Sequence, residues 1–143
     1  MDCVYAPAFF LASRRLDRYP AAGADLRLGA EATPAAVEES LVIATRMLIA
    51  VVDTTPPDTK AVLFEGPPLR TGRPADFLPR AALELALHAH DVAVGLGVGF
   101  VPPADGARHV REHTRSWEMW AFMGPGLGHE DDPWADLLQA SGR

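Results

Sequence analysis

Pro79-Arg80-Ala81-Ala82-Leu83-Glu84-Leu85-Ala86-Leu87-His88-Ala89-His90-Asp91-Val92-Ala93-Val94-Gly95 is the stretch whose reading decides the fold. At about 100° per residue its apolar side chains reach almost every side, as in a helix buried in a larger body. Glu84, His88 and Asp91 fall within an arc of roughly 60° on that helix, and Arg80 lies one turn earlier on the same edge. His90 points to nearly the opposite side. An apolar interior rejects such groups unless they are hydrogen-bonded, paired or bound to a metal. The polar seam is therefore both a fold signal and a chemical one.

Toward the C-terminus, Gly95 and Gly97 supply a helix stop. Pro102-Pro103 introduce a helix over about 103–115 that contains His109 and His113. Trp117, Trp120 and Phe122 make the next segment aromatic enough for a core or a pocket wall, and residues 124–131 read as loop. Asp132 is placed to cap a last short helix with Pro133 at its first position, Trp134, Leu137 and Leu138 on its inner face, and Gly142 closing it.

Toward the N-terminus, the opening helix is expected to begin at Asp76 or Pro79. Pro67-Pro68, Gly72 and Pro74 before it read as a long crossing loop. Ala61-Val62-Leu63-Phe64-Glu65 is a strand or an extended connector. An amphipathic helix precedes it, with Thr33 as N-cap and Pro34 at its first turn. Val37, Leu41, Ala44, Leu48 and Val51 form its inner face, and Asp53-Thr54-Thr55-Pro56-Pro57-Asp58 ends it. Residues 19–32 read as loop, and a short helix can open near Pro7.

The 143 residues suffice for one domain, and the composition, 48% hydrophobic and 22% charged, is that of a globular protein. A net charge of −6 with no basic run argues against general nucleic-acid binding. Cys3 is the sole cysteine, which fits a reducing, cytoplasmic setting. Asp2 and Arg14-Arg15 spoil a signal peptide, and no apolar run is long enough for a membrane span.

Glu84 and His88, four residues apart, can converge on one ion, as carboxylate and imidazole ligands do on bundle helices. On spacing alone a simple buried hydrogen-bonded pair, with Arg80 nearby, is the favoured reading. His109 and His113 share the same spacing, a zinc half-site, but Arg108, Arg111, Glu112 and Arg115 around them suggest a solvated face. No serine lies in a nucleophile elbow. Gly95, Gly97 and Gly99 follow a helix rather than a strand, so the context for a dinucleotide loop is absent.

From Leu83 to Ala93 the chain resembles the DinB-like superfamily, and more closely its branch of mycothiol-dependent maleylpyruvate isomerases. Glu84, His88 and Asp91 match that branch's glutamate, histidine and aspartate position by position, and Asp132 to Arg143 is similar to the way these domains finish. The resemblance covers residues 34–143, with residues 1–33 as a separate N-terminal segment. It implies an all-α, antiparallel four-helix bundle around a divalent metal, often zinc. Glu84 and His88 carry over as ligands and Asp91 as the group orienting them from behind. The ion would activate a small thiol, mycothiol in that family, toward an electrophilic substrate, as in an isomerase or thiol transferase.

The family's other histidine ligand comes from an earlier helix, and no histidine precedes His88 here. The expected bundle is thus incomplete at its N-terminus, with His113 or a second copy in a homodimer as source of a third ligand. The alternative expectation is a non-catalytic remnant or homo-oligomeric interaction module, with a buried polar network in place of the metal.

Overall fold

The computed structural model describes residues 7–9, 11, 12, 14, 16, 28–64, 69–115, 117 and 131–143. Among the described residues the chain is helical in the main, with one two-stranded sheet. Residues 7–9, 11 and 12 are helical, as expected near Pro7, and the elements with described bounds are, in order, α1 (Pro34–Thr54), β1 (Ala61–Phe64), β2 (Arg70–Gly72), α2 (Pro74–Gly95), α3 (Ala104–Thr114) and α4 (Pro133–Ala140). They divide into two compact units, Met1–Ala81 and Ala82–Arg143, and α2 runs through the division. Among the described residues no helix is long and apolar enough to cross a membrane.

In the first unit, α1 starts where its signals place it. The Thr33 hydroxyl accepts the Ala36 N–H at 3.3 Å and Pro34 fills the first turn. Of its expected inner face, Ala44 and Leu48 are buried, but Val37 is exposed. Val42, Ile43, Met47 and Ile49 are exposed as well. Its hydroxyls turn inward to the helix: Ser40, Thr45, Thr54 and Thr55 donate to the carbonyls of Ala36, Leu41, Ala50 and Val51.

Ala61 is paired with Gly72 and Val62 with Thr71 in an antiparallel ladder that becomes irregular before the Phe64–Arg70 pair. A three-residue strand therefore lies inside the segment expected to be crossing loop. Arg-Thr-Gly has no apolar alternation to reveal it. Ala61, Val62, Leu63, Leu11 and Phe77 are buried in this unit.

Helix α2 starts at Pro74, earlier than expected. The Asp76 carboxylate reaches back to accept the Arg73 N–H at 2.7 Å, one half of a capping box. Pro79 sits inside the helix, where its ring removes one donor but does not end it. The helix ends at Gly95, and Gly97 completes the expected stop. Gly97 takes φ +69°, its N–H donates to Val94, and the Val98 N–H donates to Ala93. This is a Schellman closure, with the left-handed residue supplied by glycine.

In the second unit, Leu83 and Leu87 of α2 pack with Ala107 and Val110 of α3 and with Trp134 and Leu137 of α4. Phe100, Trp117 and Leu138 flank that cluster. Trp120 and Phe122, the other expected wall residues, lie outside the described residues, as do Cys3 and His129. The Asp132 carboxylate accepts the Ala135 N–H at 3.0 Å and Pro133 occupies the first turn of α4. Arg111 of α3 and Asp136 of α4 form an ion pair largely shielded from water, with side chains 15% and 7% exposed. The charged face expected for α3 is thus only partly solvated: Arg108, His109, Glu112 and Arg115 are exposed while Arg111 turns inward.

Candidate metal site

The buried side of α2 in the second unit is set by Leu83, Leu87 and Ala93. Glu84, His88 and Asp91 are displaced from it and reach water. The helix is therefore not buried all round, since Val92 and Val94 are each 61% exposed. His88 is 62% exposed on its side chain and Glu84 32%. The seam is a surface feature rather than a core one.

Spacings of four and three residues bring the three side chains together on one face. The imidazole stands between the two carboxylates, with Nε2 3.6 Å from Glu84 Oε2 and Nδ1 3.8 Å from Asp91 Oδ2. Both gaps are longer than a hydrogen bond. Two ligands each about 2.1 Å from a zinc ion, at the tetrahedral angle, stand about 3.4 Å apart. The Glu84–His88 gap, at 3.6 Å, is that of an ion-pair contact across one helical turn and is a little wider than the spacing of two zinc ligands. Asp91 faces the other ring nitrogen, which is where a carboxylate orients a metal-bound histidine.

Asp91 is itself gripped. Arg143 donates from Nε to Oδ1 and from Nη2 to Oδ2, both at 2.7 Å, the two-pronged fork of a guanidinium on a carboxylate. These hydrogen bonds hold the Asp91 carboxyl below its ordinary 3.8. Desolvation pushes the other way, and the charges of Arg143, His88 and His90 add to the lowering. The same bonds push the Arg143 guanidinium up.

The backbone explains why Arg143 arrives there. Gly142 has φ +76°, its N–H donates to Gln139, and the Arg143 N–H donates to Leu138. This second Schellman closure fixes the Arg143 backbone against the end of α4. Arg143 was no part of the site expected from sequence. It lies 52 residues from Asp91, so no helical spacing links them.

The remaining expected residues lie elsewhere. His113 packs edge-on to Trp117, ring centroids 6.0 Å apart, and His109 is exposed. His90 packs edge-on to Trp134 at 5.8 Å, and among the described residues its buried Nδ1 has no hydrogen-bond partner. Arg80 belongs to the first unit. Among the described residues no group of three or more His, Cys, Asp or Glu is disposed to hold an ion, so His113 does not join Glu84 and His88 in one. The structure brings together Glu84, His88 and Asp91 on one face of α2, with Arg143 gripping Asp91.

No family model, no curated protein and no solved structure matches the chain. The class established by the structure is the broad one, a mainly helical protein with a small sheet.

Proposed function

We propose that the second unit is a divalent-metal-binding module of DinB-like type, with zinc as the natural ion, that serves a small thiol such as mycothiol and an electrophilic substrate. The observation that carries this is the 3.6 Å gap between Glu84 Oε2 and His88 Nε2, with Asp91 on the opposite nitrogen. When bound, the ion supplies Lewis acidity that favours the thiolate form of a coordinated thiol. The chain's residues do the rest. Glu84 brings negative charge that suits a divalent ion, and His88 brings a neutral nitrogen. Asp91 restrains the imidazole. The exposure of His88 leaves room for water or a thiol beside it. A third protein ligand would come from a second copy in a homodimer. The reaction class that fits is isomerisation through thiol addition, or thiol transfer.

Elemental analysis and zinc titration of the purified chain test this reading. About one equivalent of zinc per site is expected in the wild type, with loss in Glu84→Ala and His88→Ala. Uptake below about a tenth of an equivalent, unchanged in both variants, overturns it.

A second reading has its own observation. Val94, Leu96, Val98 and Val101 are between 58% and 77% exposed in one run around the end of α2. Exposed apolar residues in such a run mark interaction surfaces. On this reading the chain is a non-catalytic, homo-oligomeric interaction module in which the seam is a polar network. Sedimentation velocity separates the two: a dimer that is unchanged in Glu84→Ala but dissociated by Leu96→Glu supports the module.

A further inference from the structure

We propose that α1 is a self-pairing surface: a second copy of this chain lays its own α1 against it, antiparallel, with Glu39 of each copy opposite Arg46 of the other. Neither the candidate metal site nor the apolar run at the end of α2 takes part.

The first unit covers one side of α1, where Ala44 and Leu48 are buried. About 100° round the helix from them lies a second stripe, made of Ala36, Ser40, Ile43, Met47, Ala50 and Thr54. Ile43 is 50% exposed and Met47 46%, and Ala50 and Thr54 are exposed too. Steps of four and three residues alternate along the stripe, which is the repeat of a seam between paired helices. Its two large side chains, Ile43 and Met47, stand between small ones on either side.

Charge sets the direction and the register. Glu39, Arg46 and Asp53 recur every seventh residue along one border of the stripe. All three are exposed, and none is in an ion pair among the described residues. A parallel partner would set this border against Val37, Ala44 and Val51 of the other copy, where the charges meet nothing. An antiparallel partner sets the border against itself. The alignment that brings Glu39 opposite the second copy's Arg46 also brings Arg46 opposite its Glu39. The same alignment seats Ile43 against Ser40 and Met47 against Ala36, large against small. A shift of one heptad either way sets Glu39 opposite Glu39, or Arg46 opposite Arg46, and repels. An anionic lipid surface is a poorer occupant, because Glu38, Glu39 and Asp53 outweigh the single Arg46 on this helix.

Sedimentation velocity of the full chain over about a hundredfold range of concentration tests this. The wild type is expected to pass from monomer to dimer. Glu39→Arg and Arg46→Glu should each raise the dissociation constant at least about tenfold, since each places two like-charged pairs across a symmetric contact. An equimolar mixture of the two variants should dimerise again, because every facing pair is then opposite in sign. The chain carrying both reversals should do the same. Circular dichroism is expected to show unchanged helix content in every variant, as these positions are exposed. A wild type that stays monomeric throughout overturns the proposal. So does a dimer indifferent to Glu39→Arg, a mixture that stays monomeric, or a dimer that only Leu96→Glu dissociates. Binding of the monomer to phosphatidylcholine vesicles, abolished by Ile43→Glu, would put a lipid surface in place of the second copy and overturn it as well.

Discussion

Arg111 and Asp136 tie α3 to α4 through an ion pair that stands almost out of reach of water. Removing one member strands the other in a poorly solvated place. Arg111→Ala or Asp136→Ala is expected to cost about 3 kcal/mol, the usual scale for a broken shielded pair. Replacing both with apolar residues of similar volume should cost much less. Urea unfolding of the two single variants and the double replacement checks this, and equal losses in all three would contradict it.

The surface pair Asp91–Arg143 should behave differently. Its carboxyl is depressed in the folded chain, so the pair's contribution is present above the ordinary carboxylate value of 3.8. It is lost as pH falls through the lower folded value. The raised Arg143 contributes throughout the ordinary pH range and loses its contribution only in strong alkali. Wild type should therefore lose more thermal stability than Asp91→Asn between about pH 4 and pH 2. Added salt should shrink that difference, because exposed charges are screened.

Glycine replacements separate backbone strain from crowding. Gly97 and Gly142 have positive φ and open space around a would-be Cβ. Alanine at either should cost about 1 kcal/mol through the left-handed backbone alone. Gly142→Ala should in addition slacken the Arg143–Asp91 fork. At Gly72 the cause is different: a Cβ would stand 3.0 Å from Leu63 Cδ2 and 3.1 Å from Asp76 Cβ. Gly72→Ala is expected to destabilise by overpacking, on the order of 1–3 kcal/mol.

The two sides of α1 give a further contrast. Leu48 is 1% exposed and Ile43 50%. Leu48→Ala should cost about 3 kcal/mol in denaturant unfolding. Ile43→Lys should be within about 0.5 kcal/mol of wild type in an isolated chain. A loss with Ile43→Lys that grows with protein concentration would show that a second copy covers this face.

Sequence showed most clearly what local chemistry controls. Thr33-Pro34 and Asp132-Pro133 both begin helices with the side-chain cap expected of them. The seam residues share a face because spacings of three and four require it. Signals failed where a tertiary partner decides the outcome. The apolar pattern of α2 suggested burial, yet Val92 and Val94 are exposed, because periodicity records which residues are apolar and not what covers them. By contrast, Gly95 and Gly97 are legible as the stop, and the helix ends at Gly95 with Gly97 as the left-handed residue. Arg111 sat in a run of charges that read as solvated. Only its partner 25 residues on reveals that it turns inward. Arg143 was invisible as a site residue for the same reason.

The hydroxyls along α1 have a consequence of their own. Ser40, Thr45, Thr54 and Thr55 each spend their proton on a carbonyl of the same helix. None of these protons asks anything of the surroundings. Helix α1 can therefore pass from water to contact with an oily surface without stranding a hydroxyl donor. What such a contact must still accommodate are the exposed charges of Glu38, Glu39, Arg46 and Asp53.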